Sequence, residues 1–328
     1  MLTSSAPTRI DLAGGTLDIW PLYLFHDGAV TLNAAISLRA HVDIEGRDDG
    51  ALVLESVDGQ RTVRVPAGAP TPVHGELPLL ARLAAHYGLE NATLRTRGES
   101  PAGAGIAGSS ALTIAACGAL ARWCGHPEDE ETLLRVAMNV ECQTIAVPTG
   151  VQDYRPALYG GIAAVELGVA GVRRVALDVN PEALEQRLVL AYTGAPRNSG
   201  TNNWAITKRY LDGDRDLFDC FERIRDTAVA MRTALEREDW DSASRHLAAE
   251  WANRRRLSPG VSTPEIDALI ARATAAGATA AKVCGAGGGG CLVTMGPPDA
   301  RASIAAALAA GGARVLDFTL EPKGLRVG

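Results

Sequence analysis

The sequence predicts a chain of mixed α and β structure in two domains, on three observations. At 328 residues it is long enough for two domains that share an interface. Short β-forming runs dominate as far as residue 193, whereas four helical runs follow one another from about residue 202 to residue 275. Two glycine-rich stretches, residues 101–116 (PAGAGIAGSSALTIAA) and 282–293 (KVCGAGGGGCLV), are held between apolar segments, unlike linkers. The shift from strand to helix puts the boundary near 165–185 and gives domains of 1–180 and 181–328.

Composition narrows the partners. Hydrophobic residues make up 47% and charged residues 21%, as in soluble globular proteins. A net charge of −6 and a pI of about 5.6 argue against a nucleic-acid or membrane-surface partner. A bound phosphate must therefore be held by backbone amides, a metal and a few placed cations. The six cysteines, at 117, 124, 142, 220, 284 and 291, form no CxxC pair and no Cys/His metal spacing, which suits thiols kept reduced. The six histidines are scattered, against a histidine metal site. With no signal peptide and no apolar run of membrane length, a cytoplasmic location is expected.

Residues 2–12 read as a strand that carries Arg9 and enters a tight turn at Ala13-Gly14-Gly15-Thr16-Leu17-Asp18. Residues 29–44 are rich in β-branched side chains, and 51–65 hold two short strands about the hairpin signal Asp58-Gly59. Apolar spacing predicts a helix over 76–88, closed by Gly88, and 92–98 is the strand that feeds the first glycine loop. Gly103, Gly105 and Gly108 let that loop turn tightly. Ser109 and Ser110 stand where a helix to about Cys124 begins, a place suited to hydroxyl caps. A helix start offers unpaired N–H groups and the positive end of a dipole, so strand, glycine loop and helix together suit a phosphate.

The helix predicted over 129–146 opens with acids, as its dipole favours, yet carries Glu141 near its C-terminal end. A carboxylate there costs energy unless a metal or cation offsets it. Residues 148–154 (PTGVQDY) break that helix, and Asp153 among them reads by itself as a turn residue bonded to its own backbone. Strands follow at 160–166, 171–178 and 187–193, then a polar loop, 194–203, that contains Arg197. Helices are predicted over 202–211, 215–237, 240–256 and 264–275. The run Arg254-Arg255-Arg256 closes one of them, where positive charge is favourable, and reads as a solvated helix end. The glycines of 285–290 lie between two strands and require a close backbone approach, either to the first loop or to a ligand. A helix over 298–311 and a strand over 313–320 complete the second layer.

Arg9 to Asp18, the loop 101–110, Glu141, Gln152-Asp153 and the glycines of 285–290 stand in an order that resembles the GHMP kinases. That superfamily includes galactokinase, homoserine kinase, mevalonate kinase and phosphomevalonate kinase. PAGAGIAGSSA is similar to its second motif, with Ala107 and Gly108 where many members have Gly and Ser, and KVCGAGGGG is similar to its third. The start APTRIDLAGG and the segment TGVQDY look most like sugar kinases of the fucokinase and heptose-phosphate kinase type. Asp18 keeps that branch's register, while Thr16 and Leu17 replace its Gly and Thr. Residues 192–197 (YTGAPR) are similar to the same branch.

The resemblance implies an α+β fold of two domains with the site in the cleft between them. The N-terminal domain would resemble domain 2 of ribosomal protein S5, and the C-terminal domain would be ferredoxin-like. It implies an ATP- and Mg²⁺-dependent kinase acting on a hydroxyl, expected to be anomeric, of a sugar or sugar phosphate. ATP would lie on Pro101, Gly103, Ala104, Gly105, Ile106, Ala107, Gly108, Ser109 and Ser110, with Gly287 and Gly288 closing over it. Glu141 and a serine, Ser109 or Ser110, would hold the metal. Asp153 would accept or orient the acceptor's proton, with Arg9 beside it, and Asp18, Gly15, Gln152 and Arg197 would bind the acceptor. The implied partner is a small sugar or sugar phosphate, with no nucleic acid and no membrane, and a homodimer is allowed. Three alternatives share these motifs. One is a kinase of a non-sugar alcohol such as mevalonate or homoserine, against which Arg9 (in place of Lys) and Asp18 count. The others are an ATP-dependent decarboxylase of the mevalonate branch and a catalytically silent sugar and ATP sensor, for which Ala107-Gly108 speaks.

Overall fold

Strand β1 (Leu2–Ala13) is buried along most of its length and lies antiparallel to β2 (Val30–Gly46), from Leu2 opposite Ile44 to Ala13 opposite Leu32. This computed structural model describes every residue except Pro127, Arg197 and Asn198, and leaves the side chains of 199–202 undescribed. β2 is long enough to serve two further neighbours. Its residues 40–46 pair with β5 (Ala92–Gly98) and its residues 30–34 with β6 (Ile162–Gly168). The hairpin of β3 (Leu52–Ser56) and β4 (Arg61–Val65) extends the sheet beyond β5, and β7 (Gly171–Ala176) extends it beyond β6.

Helix α1 (Pro78–Tyr87) ends on Gly88 in the left-handed conformation, as predicted. α2 (Gly108–Trp123) crosses β1 and β2, with α1 and α3 (Glu130–Ile145) beside it. Val42, Leu94, Leu83, Ile114, Leu120 and Leu134 form one apolar core from these elements.

A second, antiparallel sheet has the order β11-β8-β10-β9, from β8 (Leu188–Tyr192), β9 (Ala280–Val283), β10 (Cys291–Met295) and β11 (Arg314–Leu316). Its helices are α7 (Arg215–Glu236), α8 (Trp240–Arg254), α9 (Pro264–Ala275) and α10 (Arg301–Ala310), with α6 (Ser199–Leu211) leading into them. The architecture is the α+β one of two domains expected, each a sheet with its helices. Core clusters join the layers, one with Ile10, Leu12 and Leu32 of the first beside Leu190, Val293, Met231 and Leu247 of the second, another with Val165 and Leu167 beside Phe221 and Ile224. Among the described residues no helix is long and apolar enough to cross a membrane.

Three segments differ from expectation. Residues 181–185 form a short helix, α5 (Pro181–Glu185), in a stretch for which the sequence predicts no element. Residues 154–159 form a short helix, α4 (Tyr154–Tyr159), where the sequence reads as a loop; fewer than two turns leave no periodicity to detect. The strand expected over 313–320 stops at Leu316, and the chain then returns to the first sheet. Ser37 donates its N–H to the Thr319 carbonyl, and β12 (Arg326–Val327) pairs with Ser4 and Ser5 of β1. The span 181–328 is therefore not one layer to its end. Gly324 permits this return, because a Cβ there would fall 2.0 Å from the Leu158 carbonyl oxygen.

Candidate active site

The cleft between the layers is built from five separated segments. The first is the N-terminus of α2. Gly103 (φ 68°) and Gly105 (φ 77°) take left-handed conformations, and so does Ala107 (φ 61°), which stands at the N-cap with no side-chain bond to the helix. Ser109 and Ser110 thus lie inside the first turn and not at the cap the sequence suggests. With no side chain capping it, the turn's N–H groups are left to an anion. Ala104 and Ile106 bury their side chains in the core that joins the layers, which leaves only their backbone to meet a ligand if one binds the loop. Pro101 closes the loop's first turn by accepting the Ala104 N–H at 3.1 Å.

Ser110 is buried and donates its hydroxyl to Glu141 Oε2 at 3.1 Å, while Ser109 is exposed. Burial pushes the Glu141 carboxyl up, as does the charge of Asp153; hydroxyls of Ser109, Tyr154 and Ser110 oppose this by hydrogen bonding to it. No ion pair compensates Glu141 among the described residues, and none of their His, Cys, Asp and Glu side chains gather in threes as a metal site.

Asp153 does not cap its own backbone, the reading its segment suggests by itself. Its Oδ1 accepts both Nε (3.0 Å) and Nη2 (2.6 Å) of Arg9. Arg9 is buried, and Asp153, then Asp11, outweigh that burial and hold its pKa above the ordinary value. Arg9 also donates Nη1 to the Gly105 carbonyl at 2.9 Å and its backbone N–H to Ile106 at 3.0 Å, tying β1 to the glycine loop.

Asp18 is buried in the same cleft. Its Oδ2 accepts the Gln152 N–H at 3.0 Å and its Oδ1 the Gln152 side-chain amide at 3.3 Å. Burial, with the nearby charge of Asp153, pushes its pKa up to about 6, against the Gln152 N–H and Arg9. Gly150, which sequence reasoning missed, makes this possible: a Cβ there would lie 2.0 Å from Asp18 Oδ2. Gly15 leaves room for other groups, since its Cβ would lie 2.5 Å from Arg254 Nη2 and 2.9 Å from the Gln152 amide nitrogen. Arg197 lies outside the described residues.

The second glycine run closes on the first loop, the backbone alternative of the two the sequence left open. Cys291 donates its N–H to the Ala104 carbonyl at 2.7 Å, and a Cβ on Gly290 would lie 2.6 Å from the same oxygen. Gly287 and Gly288 lie against Val261, whose carbonyl accepts the Gly288 N–H at 2.9 Å. It is Gly285 and Ala286 that line the cleft.

Arg254 corrects the reading of the Arg254-Arg255-Arg256 run. Arg255 and Arg256 are exposed, but Arg254 is 1% exposed and lines the cleft. Its spacing from Ala243, Leu247 and Trp251 sets it on the buried face of α8, a signal present in the sequence. Asp11, Glu250 and Lys282 are also fully buried around it. Lys282, a lone charge within an apolar strand, was visible as such, whereas Asp11 carried no signal of its own.

Fold and cleft together define a kinase of small molecules. Residues 77–161 match the family model described as GHMP kinases N terminal domain, and residues 231–314 that described as GHMP kinases C terminal, together about half of the chain. The D-glycero-alpha-D-manno-heptose 7-phosphate kinase of Campylobacter jejuni subsp. jejuni serotype O:2 is 27% identical, over 99% of this chain and 98% of that protein. A mevalonate kinase of Aeropyrum pernix is 28% identical over 89% of this chain and 87% of its own length. Among solved structures, a D-glycero-D-manno-heptose 1-phosphate kinase from Bacteriodes thetaiotaomicron superposes with a TM-score of 0.82 at 24% identity, covering 100% of this chain and 99% of that one. Lactococcus lactis galactokinase complexed with galactose gives 0.77 at 18%, covering 99% and 95%. The chain belongs to the GHMP kinase family.

Proposed function

We propose that the chain transfers the γ-phosphoryl group of ATP to the anomeric hydroxyl of a sugar phosphate. The observation that carries this reading is the convergence on one cleft of Asp153, fixed by Arg9, with the Ser110–Glu141 pair and the buried Asp18. The heptose 7-phosphate kinase similar over nearly the whole chain supports a phosphorylated sugar as acceptor.

Phosphoryl transfer asks the protein for positioning and charge neutralisation more than for covalent chemistry. The uncapped first turn of α2 and the backbone of 103–110 receive the nucleotide's phosphates. Ser110 and Glu141 offer a few oxygen ligands, and Glu141 is buried with no cation beside it, so the pair fits Mg²⁺. When bound, Mg²⁺ supplies neutralisation of the phosphate charge. Asp153 takes the proton of the acceptor hydroxyl, and two N–H groups of Arg9 hold its carboxylate in place. Asp18, fixed by Gln152, accepts hydrogen bonds from sugar hydroxyls. The intact Arg9–Asp153 and Ser110–Glu141 pairs support turnover over a silent sensor.

The test is steady-state turnover of ATP with Mg²⁺ over free sugars, sugar phosphates, mevalonate and homoserine. Turnover is expected to be highest with a sugar phosphate, and Asp153→Asn is expected to lower kcat by about 10³-fold while calorimetry still shows ATP binding. Preference for mevalonate or homoserine, or ATP binding without turnover of any acceptor, would sink the reading.

A further inference from the structure

Arg9 stands between two carboxylates. Its Nε and Nη2 reach Asp153 at 3.0 and 2.6 Å, while its Nη1 lies 3.8 Å from Oδ1 of Asp11. Asp11 is fully buried, and its charge is met from the second layer. Lys282 Nζ donates to its Oδ2 at 2.8 Å, the Gly285 N–H to its Oδ1 at 3.0 Å, and Arg254 Nη2 lies 3.7 Å from Oδ2. Lys282, also fully buried, makes its other contact with the Asp11 carbonyl at 2.8 Å. Arg254 donates Nε and Nη2 to Glu250 at 3.2 and 3.0 Å, and Nη1 to the Gly285 carbonyl at 2.7 Å and Thr16 Oγ1 at 3.4 Å. With four of its five N–H protons on protein acceptors and Nη2 also facing Asp11, Arg254 is a group that places its neighbours. A buried carboxylate left without its cation is costly, so it draws in whatever cation is within reach. Besides Lys282, the cations within reach of Asp11 are Arg254, at 3.7 Å and already bonded to Glu250 and Gly285, and Arg9, at 3.8 Å.

We propose that Lys282, with Arg254, neutralises Asp11 and thereby leaves Arg9 to Asp153. Both are positioning residues: they set the aim of the acid–base carboxylate without touching it. Because Lys282 comes from β9 and Arg254 from α8, the second layer fixes a group on β1 of the first, and Arg9 is aligned only when the layers are docked. The effect on turnover rests on the role proposed for Asp153; the position of Arg9 does not.

The test is the crystal structure and steady-state kinetics of Lys282→Met, Lys282→Arg and the double variant Lys282→Met/Asp11→Asn. In Lys282→Met, Arg9 is expected within hydrogen-bond reach of Asp11 and away from Asp153, with kcat down about 100-fold and ATP affinity changed far less. Lys282→Arg keeps Arg9 on Asp153. The double variant removes the competitor, returns Arg9 to Asp153 and recovers about tenfold or more of the lost kcat. A lysine with a merely structural role gives the opposite order, the double variant being worse than the single one. Arg9 still on Asp153 in Lys282→Met, or a double variant no better than the single, overturns the proposal. Should Lys282→Met fail to fold, Arg254→Gln with and without Asp11→Asn makes the same comparison. A wild-type protein with no kinase activity defeats the proposed reaction, and the crystallographic position of Arg9 then decides this inference alone.

Discussion

Two carboxylates in the cleft, Asp18 and Asp153, are held in opposite ways. Asp153 is a quarter exposed and takes two N–H groups from Arg9. Asp18 is buried beside that charge, and its pKa is pushed up to about 6 from an ordinary 3.8. Between these values the folded chain holds a proton that the unfolded chain has released, so this group's contribution to stability falls as pH rises through the window. In the proposed function acceptor binding runs the other way, because it is the ionised form that would accept a sugar's hydroxyls. The acceptor KM is expected to rise as pH falls below about 6, by about tenfold at pH 5, where about a tenth of the groups are ionised. Asp18→Asn should bind weakly at every pH and lose that slope; a KM flat from pH 5 to 8 in the wild type would refute the role. Glu141 is pushed up by burial, so at a pH below its raised pKa a metal ion bound there should release a proton to solvent. Titration of Mg²⁺·ATP in buffers of different ionisation enthalpy should show this release. In Glu141→Gln the release should be absent and the metal bound about 10- to 100-fold more weakly.

At the scale of elements, the two glycine stretches share one need for glycine, and the second adds another. In the first, left-handed backbone at Gly103, Gly105 and Ala107 swings the chain into α2 and leaves its first turn uncapped. In the second, left-handed backbone, as at Gly287 (φ 82°) and Gly290 (φ 83°), is joined by a need for room for another backbone, since Gly290 lies against Ala104 and Gly287 against Val261. Gly290→Ala combines a φ of +83° with a contact of 2.6 Å to the Ala104 oxygen, and the nucleotide loop must move to relieve it. Its expected result is a rise in the KM for ATP of about tenfold or more and a loss of about 1–3 kcal/mol in stability, measured by kinetics and urea unfolding. An unchanged KM for ATP would show that the second run does not support the first loop. Periodicity and turn chemistry made nearly every element legible. The sequence did not reveal α4, too short for a periodic pattern, or Arg254 as a site residue, because a helix end also explains its charge.

The whole molecule depends on contacts between remote parts of the chain. Arg39, on β2, is 6% exposed and staples the returning tail to the first sheet. It donates to the Ser5 hydroxyl and carbonyl, to Glu321, and to the carbonyls of Lys323 and Gly324. Arg39→Ala leaves several buried acceptors unpaired and should cost about 3 kcal/mol or more in urea unfolding, with little change in kcat for molecules that remain folded. A loss below about 1 kcal/mol would mean that the tail holds to β1 without it.

By itself the sequence determined most of the elements, the glycine loops and the residues that its resemblance singles out: Arg9, Asp18, Ser109 or Ser110, Glu141 and Asp153. These are local properties, set by spacing, backbone freedom and side-chain chemistry over a few neighbouring residues. Tertiary structure alone decided which charges meet. Arg9 finds an acid 144 positions away, Lys282 finds Asp11 across 271, and Arg254 finds the Gly285 carbonyl inside a core that no local pattern encloses. The reason is physical: what a buried charge contributes depends on the counter-charge beside it, and only the folded chain supplies that neighbour.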